Sequence, residues 1–213
     1  KAFKSSRYGN KINKMIGIVD YGLGNINAFY EIYKENGIKL SVIDNYKELK
    51  NNYSKIILPG VGSFDKALTL LKSKLFFDEI LNFSINKNNK ILGICVGMQI
   101  LASTSDEGEL SGFSFIDNNF NKLKSKVIPH IGWNNVSVKK NHYLFKDIKD
   151  NSLFYFLHSY CLSEFEKQYI IAETNYEQNF ISVFEKENIT GVQFHPEKSH
   201  TQGQKLLLNF YKS

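Results

Sequence analysis

Residues 93–97, with the sequence Gly-Ile-Cys-Val-Gly, constrain the fold of this 213-residue chain more than any other segment. They follow the apolar residues of a predicted buried strand and precede a predicted helix, so the chain must turn sharply at Cys95. A glycine two residues to each side of Cys95 allows the strand and the helix to pack closely. This pattern is typical of a nucleophile elbow, with a cysteine in the place of the more familiar serine.

Residues 191–197, with the sequence Gly-Val-Gln-Phe-His-Pro-Glu, supply the groups that could activate this cysteine. His195 is placed to take the proton of the Cys95 thiol, and Glu197 to orient the histidine. Two residues along an extended segment point to the same face, which predicts that His195 and Glu197 pair. Taken singly, the cysteine could be a core thiol and the histidine a structural residue. Together they predict a Cys-His-Glu triad and an acyl-transfer enzyme.

The order of strands and helices predicts an α/β fold. From residue 15 to about residue 110, short apolar strands alternate with glycine-rich turns and amphipathic helices, which predicts a doubly wound, mostly parallel, flavodoxin-like sheet flanked by helices. The C-terminal half is richer in β-strands with short connections and is expected to be more antiparallel. Its predicted strands lie at residues 113–115, 136–138, 153–157, 169–172, 181–184 and 190–194. We expect residues 15–213 to form one domain.

The net charge of +6 is unevenly distributed. Residues 1–14 hold five basic residues and no acid, and we predict that they form a basic, disordered extension before a nearly neutral body. This distribution argues against a nucleic-acid partner. No apolar run is long enough to span a bilayer and no secretory signal is evident, so we expect a cytoplasmic protein without membrane contact.

Cysteine and glycine usage exclude several other classes. With only Cys95 and Cys161, and no Cys and His cluster at ligand spacing, we predict no disulfide scaffold, no metal and no cofactor, with Cys161 as a core thiol. Residues 20–25 lack the third glycine of a dinucleotide-binding fingerprint.

Residues 59–62, Pro-Gly-Val-Gly, end the strand expected beside the nucleophile strand. Backbone N–H groups there, together with that of Val96, could face a developing oxyanion.

The motifs at residues 93–99 and 194–197 resemble those of the class I, triad-type glutamine amidotransferases. Further motifs at residues 15–25, 59–64, 129–134, 154–161 and 191–199 are similar to the glutaminase subunits of imidazole glycerol phosphate synthases. The resemblance implies a glutamine amidotransferase type 1 domain over residues 15–213, in which Cys95 attacks the glutamine amide and His195 and Glu197 assist. It implies an oxyanion hole made by the N–H groups of Val61 and Val96, in a loop that is thought to switch. It places the substrate at Gly60, Gly62, Gln99, His158, Ser159 and Tyr160.

The resemblance also implies a partner, a (βα)8-barrel cyclase that receives ammonia through an internal channel. Asn25, Trp133, Tyr155 and Lys198 match residues that face this partner, although for Trp133 and Tyr155 plain core packing is the alternative. The expected pathway is histidine biosynthesis.

Other functions stay open at this point. Residues 26–29 and 105–108, with Val96, would also suit a paralogue that supplies ammonia for amidation of a bacterial surface sugar. A free-standing γ-glutamyl hydrolase and a non-catalytic binding relative are the remaining alternatives.

Overall fold

The structure, a computed structural model, describes residues 15–50 and 53–213. The extension predicted at residues 1–14 lies outside the described residues. The strands are β1 (Met15–Val19), β2 (Leu40–Ile43), β3 (Tyr53–Leu58), β4 (Lys90–Ile94), β5 (Ala102–Ser105), β6 (Ile116–Lys122), β7 (His130–Val138), β8 (Ser152–His158), β9 (Tyr160–Cys161), β10 (Ile170–Tyr176), β11 (Gln178–Lys186) and β12 (Ile189–Val192). The α-helices are α1 (Ile26–Glu35), α2 (Phe64–Ser73), α3 (Phe76–Ile85), α4 (Val96–Gln99) and α5 (His200–Lys212).

A nine-stranded mixed sheet forms the centre of the fold, in the order β2-β1-β3-β4-β12-β11-β10-β7-β8. The five strands from β2 to β12 pair in parallel. The remaining pairs, from β12 through to β8, are antiparallel. Strands β5, β6 and β9 form a separate small sheet. The predicted fold class, a mostly parallel sheet with an antiparallel C-terminal half, is confirmed.

The parallel part of the sheet brings three functional turns to one edge. Leu58 is in register with Gly93, and Val192 with Ile94, so β3, β4 and β12 end side by side. Strands β4 and β12 are almost wholly buried, which explains their continuous apolar sequences. The segments that follow these three strands are the Pro-Gly-Val-Gly loop, the cysteine turn and the histidine turn, and the sheet therefore assembles them at its carboxyl edge.

The strand predicted at residues 113–115 is wrong. This segment is a loop in which the Phe113 ring stacks on Phe77 at 4.4 Å and on Phe115 at 5.3 Å. Its backbone N–H groups donate to the carbonyls of Ile100 and Leu101, which belong to the turn after α4. The alternating aromatic residues reflect packing against α3, not pairing in a sheet.

Helix α1 shows how the flanking helices are fixed. Its amphipathic sequence buries Phe29, Ile32 and Tyr33, and the Asn25 side chain caps its first turn by accepting from the Ala28 N–H at 3.3 Å. The fully buried Tyr33 hydroxyl donates to the carbonyl of Leu207 in α5 at 2.9 Å.

Among residues 15–50 and 53–213, no helix is long and apolar enough to cross a membrane.

Candidate active site

Cys95 lies in a strained turn between β4 and α4. Its φ of 54° and ψ of −110° are unusual for a residue with a side chain. A Cβ on Gly93 would lie 2.4 Å from the Gly97 carbonyl oxygen, and one on Gly97 would lie 1.8 Å from the Leu58 carbonyl oxygen. Both glycines are therefore required by the close approach of β3, β4 and α4, as the elbow pattern predicts.

Helix α4, which follows Cys95, is very short. It has four residues, and so the summed dipole of a long helix is not available at Cys95. The Cys95 carbonyl accepts from the N–H groups of Met98 and Gln99 at 3.0 and 3.1 Å. Free N–H groups at the start of this single turn are what the helix can offer to a negative charge.

His195 and Glu197 form a buried pair. The imidazole Nδ1 lies 2.8 Å from Oε1 of Glu197, and the two side chains are 1% and 2% exposed. The residues after His195 form a 3-10 turn, Pro196–Lys198, so the pair is created by a turn and not by the extended segment that the sequence suggested. With its Nδ1–H donated to Glu197, a neutral His195 carries its lone pair on Nε2. This buried Nε2 has no hydrogen-bond partner among the described residues.

The electrostatics of this pair favour a charged imidazole. Burial lowers the pKa of His195, but the negative charges of the Cys95 thiolate and the Glu197 carboxylate outweigh it and raise that pKa to about 10. A positive charge on His195 and a negative charge on the Cys95 sulfur attract each other. The same two residues can exchange a proton when the thiolate is consumed.

Strand β8 connects the thiol to the histidine. The Cys95 thiol donates to the Leu157 carbonyl, with Sγ 3.5 Å from the oxygen, and Nε2 of Gln193 lies 3.8 Å from the same sulfur. Two residues earlier in the strand, the Tyr155 carbonyl accepts from the His195 N–H at 2.8 Å. The backbone of one strand therefore sets the position of both reacting side chains.

A pocket of about 200 Å³ opens beside Cys95. The structure brings together in its wall the predicted residues Val61, Gly62, Cys95, Val96, Gln99, His158, Ser159 and Tyr160. Gly60 lies behind the wall, where an added Cβ would be 2.9 Å from the Tyr21 hydroxyl and 3.0 Å from the Gly97 nitrogen. Three lining residues were not predicted from the sequence: Glu107, Pro129 and Leu157.

Gln99 presents a free acceptor to this pocket. Its Nε2 donates to the Tyr160 carbonyl at 3.3 Å, which fixes the orientation of the amide. Its Oε1 is buried and has no hydrogen-bond partner within the described ranges. A substrate group that donates hydrogen bonds would satisfy this oxygen.

Glu107 is the only carboxylate among the lining residues of the pocket. Its Oε2 accepts from the N–H of Phe64, the first residue of α2, at 2.8 Å. Burial raises the pKa of Glu107. Residues 105–108 would also suit a paralogue with a sugar acceptor, and no local spacing connects Glu107 with Cys95. The sequence alone therefore does not place Glu107 in the pocket.

His158 belongs to a chain of hydrogen bonds that dictates its tautomer. Its Nδ1 donates to the Tyr160 carbonyl at 2.9 Å, so its Nε2 must accept from Nδ1 of His130 at 3.0 Å. Nε2 of His130 in turn accepts from the Asn134 side-chain amide at 3.3 Å. Burial lowers the pKa of His130 to about 4 and that of His158 to about 3, so both rings are neutral at pH 7. His130 lies in the motif at residues 129–134, but the sequence alone assigns it no role.

Three of the four predicted partner-facing residues lie together. The Trp133 and Tyr155 rings pack edge to face at 6.0 Å, and Nζ of Lys198 lies 5.7 Å from the centre of the Tyr155 ring. Trp133 is 44% exposed, which argues against the core-packing alternative for it. Asn25 is exposed at the start of α1, where its side chain acts as the helix cap.

Comparisons with known proteins identify the family of this chain. Residues 17–213 match the family described as "Glutamine amidotransferase class-I". The chain belongs to the class I glutamine amidotransferase family. A crystal structure titled as a glutamine amidotransferase has a TM-score of 0.73 at 15% identity, covering 93% of this chain and 100% of the other, which shows the shared fold.

Two curated relatives are similar to this chain over nearly its whole length. The chain is 45% identical to "Imidazole glycerol phosphate synthase subunit HisH" of Leptospira borgpetersenii, over 92% of this chain and 98% of the relative. It is 42% identical to "Imidazole glycerol phosphate synthase subunit HisH 2" of Methanococcus maripaludis, over 93% of this chain and 99% of the relative.

In the described part of the chain, no group of three or more His, Cys, Asp or Glu residues could hold a metal ion. Cys95 and Cys161 are both free thiols, and Cys161 is fully buried.

Proposed function

We propose that this chain hydrolyses L-glutamine to glutamate and passes the ammonia to a (βα)8-barrel cyclase, which makes imidazole glycerol phosphate and aminoimidazole carboxamide ribotide in histidine biosynthesis. The observation that carries the proposal is the buried His195–Glu197 pair next to Cys95, which itself lines a small pocket. The near full-length similarity to synthase subunits named HisH supports the choice of pathway.

In the first half of the reaction, the Cys95 sulfur attacks the side-chain amide carbon of glutamine. His195 takes the proton of the thiol on its Nε2, which has no hydrogen-bond partner in the described residues. The tetrahedral oxyanion would be met by the N–H groups of Val61 and Val96, which line the pocket near Cys95. The carbon–nitrogen bond then breaks, the nitrogen takes the proton from His195 and leaves as ammonia, and a γ-glutamyl thioester remains.

In the second half, His195 takes a proton from water while that water attacks the thioester carbon. The carbon–sulfur bond breaks, glutamate leaves, and the Cys95–His195 pair returns to its starting state. Glu197 keeps the same Nδ1 contact through both halves and so keeps Nε2 directed at the reacting atoms.

Substrate recognition would use two acceptor side chains of the pocket, those of Glu107 and Gln99. Glu107 supplies the negative charge that suits the α-ammonium group of glutamine. The free Oε1 of Gln99 suits a second donor of the substrate. Backbone groups of residues 158–160 complete the wall opposite the cysteine.

The partner would dock on the face that carries Trp133, Tyr155 and Lys198. The Tyr155 carbonyl holds the N–H of His195, so a partner in contact with Tyr155 lies one hydrogen bond away from the triad. Such a partner would also shield the released ammonia from water.

The test is glutamate release by the purified chain under three conditions. The chain is measured alone, with the barrel cyclase of the same organism, and with that cyclase loaded with its ribulosyl ribotide substrate. We expect a large increase only in the loaded complex, and loss of release in the Cys95→Ala variant but not in Cys161→Ala, which removes the other buried thiol. Strong release without any partner would instead indicate a free-standing hydrolase. If the cyclase has no effect while a glutamine analogue still alkylates Cys95, the ammonia acceptor is a different one, such as a surface sugar.

A further inference from the structure

We propose that the Tyr21 hydroxyl is a positioning group for the oxyanion loop, here defined as residues 60–62. The inference rests on the proposed function and assigns a task to a residue that lies behind the catalytic pocket. Tyr21 is fully buried, and its hydroxyl donates to the Pro59 carbonyl at 2.6 Å. Pro59 is the residue immediately before the oxyanion loop.

The hydrogen bond to Pro59 fixes a whole peptide plane. Because a trans peptide is planar, its carbonyl oxygen and the following N–H point in opposite directions. Holding the Pro59 oxygen against Tyr21 therefore directs the Gly60 N–H away from Tyr21. Gly24 packs on the other side of the same peptide, where an added Cβ would lie 2.8 Å from Cβ of Pro59 and 3.5 Å from the Gly60 nitrogen.

The other end of the oxyanion loop is held as firmly. The Phe64 N–H donates to Glu107 at 2.8 Å, and the Ser63 carbonyl accepts from the Ala67 N–H at 3.1 Å. Between the two anchors, the backbone groups of residues 60–62 make no hydrogen bond to the rest of the described chain. Gly62 adds freedom because its φ of 140° lies in a region that residues with a side chain rarely adopt.

The consequence is that rotation is confined to three peptide groups, those of residues 60–61, 61–62 and 62–63. The first of them carries the N–H of Val61, the predicted oxyanion donor. With Tyr21 in place, this N–H can turn toward the oxyanion without movement of the Pro59–Gly60 peptide. Without the Tyr21 hydroxyl, a fourth peptide is free to rotate, and the donor is less often in the productive orientation.

The charge of Cys95 also affects the pKa of the Tyr21 hydroxyl. Burial and the negative charge of Cys95 both raise the pKa of the Tyr21 hydroxyl. The hydroxyl therefore keeps its proton throughout the reaction and remains a donor to Pro59.

The test compares Tyr21→Phe with Tyr33→Phe in the full chain bound to its loaded barrel partner. Tyr33 is an internal control, because it is also fully buried and also donates to a backbone carbonyl, that of Leu207, at 2.9 Å. Deleting an oxyanion donor lowers kcat by about 10²- to 10³-fold, so we expect loosening one to lower it by about tenfold with KM within about twofold. Tyr33→Phe should keep kcat within about twofold. Alkylation of Cys95 by iodoacetamide, which needs the thiolate but no oxyanion hole, should proceed at the wild-type rate in both.

A second pair of variants tests the Pro59–Gly60 peptide through its contact with Gly24. Gly22 and Gly24 have φ values of 106° and 100°, so an alanine at either position carries similar backbone strain. The methyl group of Gly24→Ala would press on Pro59. The methyl group of Gly22→Ala would contact only the ends of two flexible side chains, at 3.8 and 3.9 Å. We expect Gly24→Ala alone to lower kcat. This pair keeps the proposal testable should Tyr21→Phe fold poorly.

Equal kcat values in Tyr21→Phe and Tyr33→Phe would overturn the proposal, as would a fall in iodoacetamide alkylation that parallels the fall in kcat. If the wild-type complex itself releases no glutamate, the proposed function fails. An active wild type with an equally active Tyr21→Phe variant refutes the role of Tyr21 alone.

Discussion

Replacing His130 and His158 by phenylalanine, singly and together, tests the chain of hydrogen bonds behind the glutamine pocket. His130 stacks on Phe156 and Tyr176, with ring centres 4.8 and 3.9 Å apart, and a phenylalanine can keep these contacts. His130→Phe therefore removes mainly the hydrogen bond to His158 and leaves the buried Nε2 of that ring without a donor.

The expected magnitude follows from this unpaired atom. A buried polar group without a partner costs about 1–3 kcal/mol of folding free energy, and His158→Phe similarly leaves the Nδ1–H of His130 unpaired. In the double variant both polar atoms are gone. Its loss of stability should be smaller than the sum of the single losses by about 1–2 kcal/mol.

The assay is urea denaturation of the four proteins at pH 7.5, analysed as a double-mutant cycle. Additivity of the two losses within about 0.5 kcal/mol would refute the deduced chain of donors and acceptors. So would a stabilised His130→Phe variant, because it would mean that His158 has no need of a donor from His130.

The same pair predicts a dependence on pH. Both folded-state pKa values lie below the usual value of 6.5, so the unfolded chain binds more protons and stability falls as the pH decreases from about 6.5 toward 4. Each histidine contributes at most about 1.4 kcal/mol per pH unit. The double variant lacks this contribution, and its stability should therefore fall less steeply than that of the wild type over this range.

Three further predictions concern the pocket and the elbow. Glu197→Gln should lower kcat by about 10²- to 10⁴-fold. Glu197 also helps to raise the pKa of His195 to about 10, so the wild type loses stability as the pH rises from about 6.5 to 10. This loss of stability should be smaller in the Glu197→Gln variant. Gly97→Ala, whose Cβ would lie 1.8 Å from the Leu58 carbonyl oxygen, should cost about 3 kcal/mol or more in urea denaturation. Glu107→Gln should raise KM for glutamine about 10- to 100-fold with little change in kcat, as measured by glutamate release.

Matched controls separate these effects from general damage. Gly37→Ala places a methyl group where no atom lies within 4 Å, at a φ of 68°, and should be far milder than the elbow substitution. Glu109→Gln changes an exposed carboxylate two residues from the pocket residue and should leave KM unaltered. An unchanged KM in Glu107→Gln, or an elbow alanine as stable as its control, would contradict the assignments made here.

The local patterns of the sequence were sufficient for the parallel half of the fold and for the residues of the triad. The alternation of strands and helices predicted from residue 15 onward matches strands β1 to β4 and helices α1 to α3. Gly93 and Gly97 indicated a close approach of backbones that the structure shows at Leu58. These features depend on residues near one another in the chain, where alternation, glycine sterics and helix periodicity act directly.

The same local reasoning failed where packing overrides it. The aromatic residues at 113 and 115 alternate as in a strand but stack against α3. His195 and Glu197 pair through a 3-10 turn, although extended spacing was the reason given for the pairing. In both cases the side chains meet as expected, while the backbone takes another path.

What the sequence determined by itself is that Cys95, His195 and Glu197 come together, and the sheet edge where they meet. What the tertiary structure alone decided is the environment of these groups: Tyr21 behind the oxyanion loop, Glu107 in the wall of the pocket, and His130 behind His158. Each of these contacts joins residues from elements far apart in the chain. Such contacts arise when strands are ordered in a sheet, and no periodicity or spacing within one segment records them.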